Sequence, residues 1–278
     1  MPDSNYRFAP RVPVKTSQES NRQWDVSSSV LLQSISVVSQ GSVIHGLFFR
    51  ADGLKMYLID QGTGRVSEWD LSTAWSVITA VFLRSTTVPF TQDTASQAIF
   101  FRADGLKMYI IGVTNDNVNE YDLSTAWNVT TVTFLQAKSI VAQDTNVTGV
   151  FFRDDGLKMY LSGQALDFIY EYDLSTAWNV TTAVFLQSFA IGAQDTQMQD
   201  VFFRPDGLKM YCVGQNLDNV YEYNLSTAWN ISTAVFLQSF SVAAQDGGML
   251  GIFFRSDGYK MYLIGAISDR VYEYNLGA

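Results

Sequence analysis

The sequence predicts an all-β fold, a five-bladed β-propeller with four antiparallel strands per blade. The main observation is an internal repeat: FFRADGLKMY begins at residue 48 and returns, with small changes, at 100, 151, 202 and 253. A period near 50 residues with strand-like content is the size of a four-stranded propeller blade. The second observation is composition, because 47% hydrophobic and 16% charged residues are typical of a folded globular chain.

The four strands of one unit can be assigned in order. In the fourth unit, DVFFR and KMYCV flank PDGL, and Asp-Gly between two apolar runs indicates a hairpin turn. VYEYNL follows, and after STAWNIS comes AVFLQSFSV, which is rich in β-branched and aromatic residues. We label these strands A to D from the axis outward. Their near-continuous apolar character predicts that both faces of each blade pack against neighbouring blades.

The two chain ends predict how the ring closes. Strands A, B and C occur five times, but D follows C only four times, since the chain stops at VYEYNLGA. WDVSSSVLLQSISV at 24–37 matches WNVTTAVFLQSFAI at 178–191, so we predict that the segment 29–37 is the missing D strand and pairs with 270–276. This pairing removes two open sheet edges and makes 24–278 the propeller. The alternatives are an open array of five sheets or a dimer that swaps this strand.

Alternating strand direction places the A–B and C–D turns on one face of the disc, the turn face, and the B–C and D–A loops on the other, the loop face. The turn face carries RxDG and STAW in almost every unit. We predict that the Arg of FFR and the Glu of YEY form ion pairs or cover aromatic rings, with a binding ring as the alternative. The tryptophans predicted to wedge between blades are Trp24, Trp75, Trp127, Trp178 and Trp229.

Repeated aspartates make the loop face the candidate binding face. The first unit has Gly41 and Gly64 at the matching positions. Carboxylates there could bind Ca²⁺ or accept hydrogen bonds from sugar hydroxyls. The alternative is that each Asp caps its own turn. The D–A loops carry Asp93, Asp144, Asp195 and Asp246, and the B–C loops carry Asp116, Asp167, Asp218 and Asp269.

Enzyme chemistry has little support in the sequence, and we predict no catalytic residues and no cofactor, with Ca²⁺ as the exception above. A glycosidase needs two carboxylates, and near the axis only Asp200 stands out, with Asp60 replacing a repeated Gly. His45 is the only histidine and is predicted to be a polar residue at the pore mouth. Cys212, the only cysteine, is predicted to be a small buried hydrophobe.

Charge and apolar runs limit the partners. The net charge of −9 argues against a nucleic-acid surface, and no run approaches the roughly 18 apolar residues of a membrane helix. Residues 1–23 show no signal-peptide pattern and carry Arg7, Arg11 and Lys15 in a polar segment of opposite charge to the body. We predict that this arm anchors the disc to a larger protein assembly; the alternative is a disordered tail.

The repeated sequence pattern DGLKMYxxG…VYEYDLSTAW covers about residues 24–278. It resembles propeller repeats of the YVTN and NHL-like type in bacterial and phage or virus-encoded proteins. The resemblance implies a non-enzymatic virion component, such as a tail-fibre, receptor-binding or decoration protein; a cytoplasmic location is the alternative. Five near-equal blades are also similar to tachylectin-like lectins, which bind N-acetylated sugars between blades. The loops offer few aromatics beyond Phe90 and Phe168, so a lectin is the first alternative and a glycosidase the second.

Overall fold

The computed structural model of the protein describes residues 22–41, 43–88 and 95–277. In these ranges five four-stranded antiparallel sheets are arranged in a ring, which confirms the predicted five-bladed propeller. Strand A of each sheet contacts strand A of both neighbours, and strand D lies outermost. The helices in these ranges are three-residue 3₁₀ turns, and none is long or apolar enough to cross a membrane.

Each blade runs from strand A at the axis to strand D at the circumference. Blade 1 contains β2 (Ile44–Phe49), β3 (Lys55–Asp60), β4 (Arg65–Leu71) and β5 (Ala80–Thr87). Blade 2 contains β6 (Ser96–Phe101), β7 (Lys107–Gly112), β8 (Asn117–Leu123) and β9 (Val132–Ser139). Blade 3 contains β10 (Val147–Phe152), β11 (Lys158–Gly163), β12 (Phe168–Leu174) and β13 (Ala183–Ala190). Blade 4 contains β14 (Met198–Phe203), β15 (Lys209–Gly214), β16 (Asn219–Leu225) and β17 (Ala234–Ser241). Blade 5 contains β18 (Met249–Phe254), β19 (Lys260–Gly265), β20 (Arg270–Asn275) and β1 (Val30–Ser36). The 3₁₀ turns are Val26–Ser28, Val38–Gln40, Val77–Thr79, Val129–Thr131, Val180–Thr182 and Ile231–Thr233.

The composite fifth blade closes the ring within one chain, as predicted. Strand β1 pairs antiparallel with β20, with Val30 opposite Asn275 and Ser36 opposite Arg270. The backbone N–H of Trp24 donates to the carbonyl of Gly258 at 3.0 Å, the bond that Trp75 makes to its own blade's turn at 2.9 Å. The segment before β1 therefore replaces a STAW connection, and β1 replaces strand D of the fifth blade.

The core consists of five layers between adjacent blades, and the tryptophans wedge into these layers as predicted. Trp127 of blade 2 lies with its ring centroid 6.3 Å from Phe48 and 5.9 Å from Tyr57 of blade 1. The Tyr57 hydroxyl donates to the Trp127 carbonyl oxygen at 3.0 Å. Tyr262 of blade 5 makes the same bond to Trp75 of blade 1 at 2.7 Å. Each blade is thus fastened to the next by apolar contact and by a hydrogen bond that is at least partly buried.

The outer strands depart from the prediction that both faces of every strand are covered. In β13, Val184, Phe185 and Leu186 are 66%, 41% and 49% exposed. Blades diverge with distance from the axis, so the neighbouring blade no longer covers strand D. A β-bulge at Leu186 interrupts the pairing of β13 with β12, and the four other outer strands carry the same register shift.

Candidate functional site

The D–A loop aspartates of the loop face are buried and hydrogen-bonded. Asp195 is 2% exposed, and its carboxylate accepts from the N–H of Gln197 at 2.9 Å, from the N–H of Leu217 at 3.0 Å and from the Tyr221 hydroxyl at 3.2 Å. Asp144 and Asp246 also accept from the B–C loop of their own blade. Each carboxylate therefore ties two loops together. Asp93 lies outside the described residues.

In blade 1 the same connection is made by a carboxylate from a different position. Asp60 accepts from the N–H of Val43 at 3.3 Å and from the N–H and hydroxyl of Thr63 at 2.8 and 2.6 Å. A Cβ atom added at Gly41 would lie 2.0 Å from the Asp60 Oδ2, just as one added at Gly163 would lie 2.3 Å from the Asp144 Oδ2. Blade 1 thus has Gly in the D–A loop and Asp at the end of strand B, whereas blades 3 to 5 have Asp in the loop and Gly at the end of the strand. Asp60 thus holds the two loops of blade 1 together.

The B–C loop aspartates occupy a left-handed backbone conformation. Their φ angles run from 47° to 58°, and blade 1 has Gly64 with φ 61° at this position. The Asp167 carbonyl accepts from the N–H of Ile191 at 2.9 Å, which fastens the loop to the end of strand D. Burial, and then the neighbouring carboxylates Asp195 and Asp144, raise the pKa of Asp167. Asp116, Asp218 and Asp269 have the same backbone conformation.

Metal binding by the loop face stays a prediction. Within the described ranges, no three His, Cys, Asp or Glu side chains form a group that could hold a metal ion. The contacts of Asp144, Asp195 and Asp246 agree with the capping alternative and extend it, since each carboxylate bridges from its own turn to a second loop. Sugar binding by these residues is likewise untested.

Of the other residues singled out as candidates for chemistry, Asp200 and Cys212 are buried and His45 is half-buried. Asp200 accepts from the N–H groups of Val201 at 2.9 Å and Ile252 at 3.1 Å, and burial raises its pKa to about 7. Burial lowers the pKa of His45 to about 4, against the effects of Gln97 and Asp60, so this histidine is neutral near pH 7. Burial raises the pKa of the Cys212 thiol, which keeps it protonated and unreactive.

The repeated charges of the turn face form ion pairs, as predicted, and the structure identifies their partners. Arg153 of FFR pairs with Asp155 of its own turn at 2.7 Å. Glu171 of YEY is buried, pairs with Lys158, and accepts from the N–H of Ile231 in the next blade at 3.2 Å. The glutamate thus belongs to the contact between blades.

An apolar pocket opens on the turn face at the axis, and we call it the axial pocket. The first Phe of each FFR surrounds it, and neighbouring centroids lie 5.2 to 5.7 Å apart with the rings 66° to 71° from parallel. A tryptophan stacks behind each ring, with centroids 6.2 to 6.4 Å apart. The cavity volume is about 360 Å³. The five phenylalanines are Phe48, Phe100, Phe151, Phe202 and Phe253.

Neighbouring inner strands pack closely below the axial pocket, and the rim of the pocket varies between blades. Two residues before Phe48, a Cβ added at Gly46 would lie 2.9 Å from the backbone nitrogen of Ile99, so the inner strands are in close contact there. The rim is formed by the one residue of RxDG that differs between blades. Among these five described rim residues, Asp154 is the only charged one. They are Ala51, Ala103, Asp154, Pro205 and Ser256.

Exposed apolar residues concentrate on the outer strands. We call the consecutive Val–Phe–Leu residues of strand D, or their equivalents, the outer band of each blade. In blade 4 the band is Val235, Phe236 and Leu237, all exposed, and in blade 5 it is formed by β1. The exposed members in the other blades are Val30, Leu31, Leu32, Val81, Phe82, Leu83, Phe134, Leu135, Val184, Phe185 and Leu186.

A polar cleft of about 450 Å³ lies between blades 4 and 5 on the turn face. Trp24 contributes to its wall but is only 6% exposed, so it offers little ring surface. Most of its charged groups are already engaged, since Glu222 pairs with Lys209 and accepts from Gln238 at 2.8 Å. The lining residues are Gln23, Trp24, Asp25, Arg204, Lys209, Glu222, Leu237 and Gln238. The predicted anchoring residues Arg7, Arg11 and Lys15 lie outside the described residues.

Comparison with known proteins relates this chain to others by fold. No family model and no curated protein matches it. A protein from Bacteroides fragilis NCTC 9343, provisionally described as a 6-phosphogluconolactonase, is 13% identical with a TM-score of 0.55, over 83% of this chain and 79% of that one. A protein of the same description from Bacteroides uniformis ATCC 8492 is 13% identical with a TM-score of 0.50, over 79% of this chain and 63% of that one. The Cps50 (Swd1) β-propeller domain from Myceliophteria thermophila is 12% identical with a TM-score of 0.50, over 84% and 82%.

These similarities concern the fold alone. This chain also spans less than two thirds of the length of the Bacteroides uniformis protein. The axial pocket and the outer bands therefore have to be interpreted from this chain's own residues. The sequence did contain a signal for both, namely FFR and AVFLQ repeated in register, but the prediction from these runs was packed strands only.

Proposed function

We propose that this propeller is a non-enzymatic interaction module of a larger assembly, and that the assembly is a phage virion. The observation that supports it best is the set of five outer bands. Exposed contiguous apolar patches are typical of protein–protein contact sites. Val184, Phe185 and Leu186 stand side by side on an outermost strand, and the other blades repeat them around the disc. The disc can therefore contact protein neighbours at its circumference.

The ring construction supports a rigid role in such an assembly. Apolar layers and hydrogen bonds join every blade to the next, including the composite blade 5 to blades 4 and 1. The carboxylates that a glycosidase would need are engaged in structural contacts at Asp60 and Asp200. In the proposal, the basic arm with Arg7, Arg11 and Lys15 holds the disc to the particle, as a tail-fibre, receptor-binding or decoration protein.

The test is incorporation into purified particles. Deleting residues 2–20 should leave the melting temperature unchanged and remove the protein from density-purified particles, measured by immunoblot. Replacing both Phe185 and Leu186 by Ser should lower incorporation without unfolding the disc. The matched control is Leu157→Ser, since Leu157 is also exposed, at 39%, but lies on the turn face. Absence of the unaltered protein from particles would refute the virion setting, and equal incorporation of all variants would refute the role of the arm and the outer bands.

A lectin is the second candidate, and the cleft between blades 4 and 5 favours it. Its polar side chains converge between two blades, where tachylectin-like lectins bind sugars. Gln23 is part of this cleft and comes from the segment before β1, at the position where the other units have the Ala of STAW. A glycan array with multivalently displayed protein checks this: selective binding that Gln23→Ala weakens supports a lectin, and no selective signal excludes it.

A further inference from the structure

We propose that the axial pocket binds a methylated ammonium group, such as that of choline or of a trimethylated amine. This inference is separate from the proposed contacts of the outer bands. It depends on three properties of the pocket: its aromatic wall, its size and the charge at its rim.

The aromatic wall suits a soft cation. A cation is attracted to an aromatic ring when it lies within about 6 Å of the ring centroid. Neighbouring phenylalanine centroids lie 5.2 to 5.7 Å apart, and the centre of a pentagon is nearer to its corners than the corners are to one another. An ammonium group on the axis at this level is therefore within about 6 Å of all five ring centroids, the distance at which a cation over a ring face is attracted to the ring. The stacked tryptophans add polarisable surface behind them.

The size of the pocket selects a compact group. Below the phenylalanines, neighbouring inner strands are in close contact at Gly46, Gly149 and Gly251, so no gap opens between the blades at this level. The volume of about 360 Å³ is near the lower end of the usual range for small-ligand sites. Methyl groups on nitrogen are apolar and spread the charge, so the desolvation cost of entering an apolar pocket is lower than for a bare ammonium.

The rim supplies a negative charge that is free to act on the ligand. The guanidinium groups around the pocket are each held by an aspartate of the same turn, as Arg153 is by Asp155 at 2.7 Å. Asp154 lies at the rim, and no cation within the described ranges pairs with it. The whole chain carries a net charge of −9. The local and the overall field therefore both favour a cation over an anion.

The experiment compares choline with its neutral carbon isostere, 3,3-dimethylbutan-1-ol, by tryptophan fluorescence titration and calorimetry on the full chain. Choline should bind about tenfold more tightly, which corresponds to about 1.4 kcal/mol. Equal affinity of the two compounds would overturn the assignment of a cation. No binding of choline at tens of millimolar would overturn the site itself.

Rim variants test the charge without disturbing the core. Asp154→Asn should weaken choline binding about threefold and leave the isostere unaffected, with the difference disappearing in high salt. Ser256→Asp should strengthen choline binding, whereas the control Ser256→Asn should not. Phe151→Leu should weaken it about three- to tenfold. If Phe151→Leu fails to fold, the Asp154 and Ser256 variants still decide, because an unchanged choline affinity in both would contradict the proposal.

Discussion

The loop face and the turn face of the disc both repeat their polar residues in nearly every blade, but they use them differently. On the loop face, Asp144 and Asp195 are buried and accept several hydrogen bonds each, so the carboxylates hold the loops in place. On the turn face, the charged residues pair with one another around an apolar pocket whose rim differs from blade to blade. In this propeller the repeated polar residues of both faces are therefore structural, and the variable rim position on the turn face is where the binding of a charged ligand can be specified.

Both faces of the disc exist only while the ring is closed, so the largest loss of stability should come from opening the ring. Deleting residues 24–37 removes β1 together with Trp24 and Val26, which are buried in the layer between blades 4 and 5. The loss should exceed the roughly 5 to 15 kcal/mol that stabilises a domain, so both faces should be lost. Circular dichroism and sedimentation should show an unfolded or oligomeric chain. The control deletion of residues 2–20 should melt like the unaltered protein.

The next largest effect on stability should come from Gly41 and Asp60 on the loop face, where blade 1 has Gly and Asp in exchanged positions. Gly41→Asp places a second carboxylate against Asp60 and should cost about 3 to 5 kcal/mol. Asp60→Gly leaves the N–H groups of Val43 and Thr63 without their acceptor and should cost about 1 to 3 kcal/mol. The double variant restores the arrangement of blades 3 to 5 and should lie within about 1 kcal/mol of the unaltered protein. Additive losses in urea denaturation would show that the two positions are independent.

Asp200 lies between the two faces and should make stability depend on pH. Its folded pKa of about 7 is above the ordinary value of 3.8, so the folded state holds a proton that the unfolded state releases between these values. The stabilisation is complete below about pH 4 and is lost as the pH rises to about 7, a change of about 4 kcal/mol at most. Denaturation of the unaltered protein and of Asp200→Asn should show this as a difference between the two, and parallel curves would contradict it.

The smallest effect should come from the rim of the axial pocket. Asp154→Ser should change the free energy of unfolding by less than about 0.5 kcal/mol, since the residue is exposed and unpaired within the described ranges. The same replacement at Asp195 removes a buried acceptor and should cost about 1 to 3 kcal/mol. Equal losses for the two variants would remove the distinction between the faces.

The sequence was sufficient for the architecture because the repeat gives the number of blades. The unequal numbers of C strands and of D strands that follow them identify the seam, which is the pairing of β1 with β20 that closes the ring. It was not sufficient for the loop face. Gly41 and Asp60 are 19 positions apart, and only the fold shows that a side chain at position 41 would occupy the space of the Asp60 carboxylate. Two departures within the same unit were the available signal, and nothing in the sequence alone connects them.

The two candidate surfaces were missed for a different reason. A run such as FFR shows that two aromatic residues lie in a strand, but not that Phe100 is half-buried at the axial pocket while Phe101 is only 1% exposed. The exposure of Phe185 and Leu186 depends on how far the blades diverge, which is a property of the whole ring. Periodicity identifies a strand, and only packing decides what covers it.

The seam also has a consequence for biosynthesis. The Gln33 amide donates to the Glu273 carboxylate at 2.7 Å across 240 residues of sequence. At a translation rate of about 5 to 20 residues per second, β1 leaves the ribosome roughly 12 to 48 s before β20. Throughout that interval Val30, Leu31 and Leu32 belong to an unpaired apolar strand, while the growing blades already present edges that it could join wrongly. Ring closure is therefore the step of synthesis at which a molecular chaperone would protect this protein most.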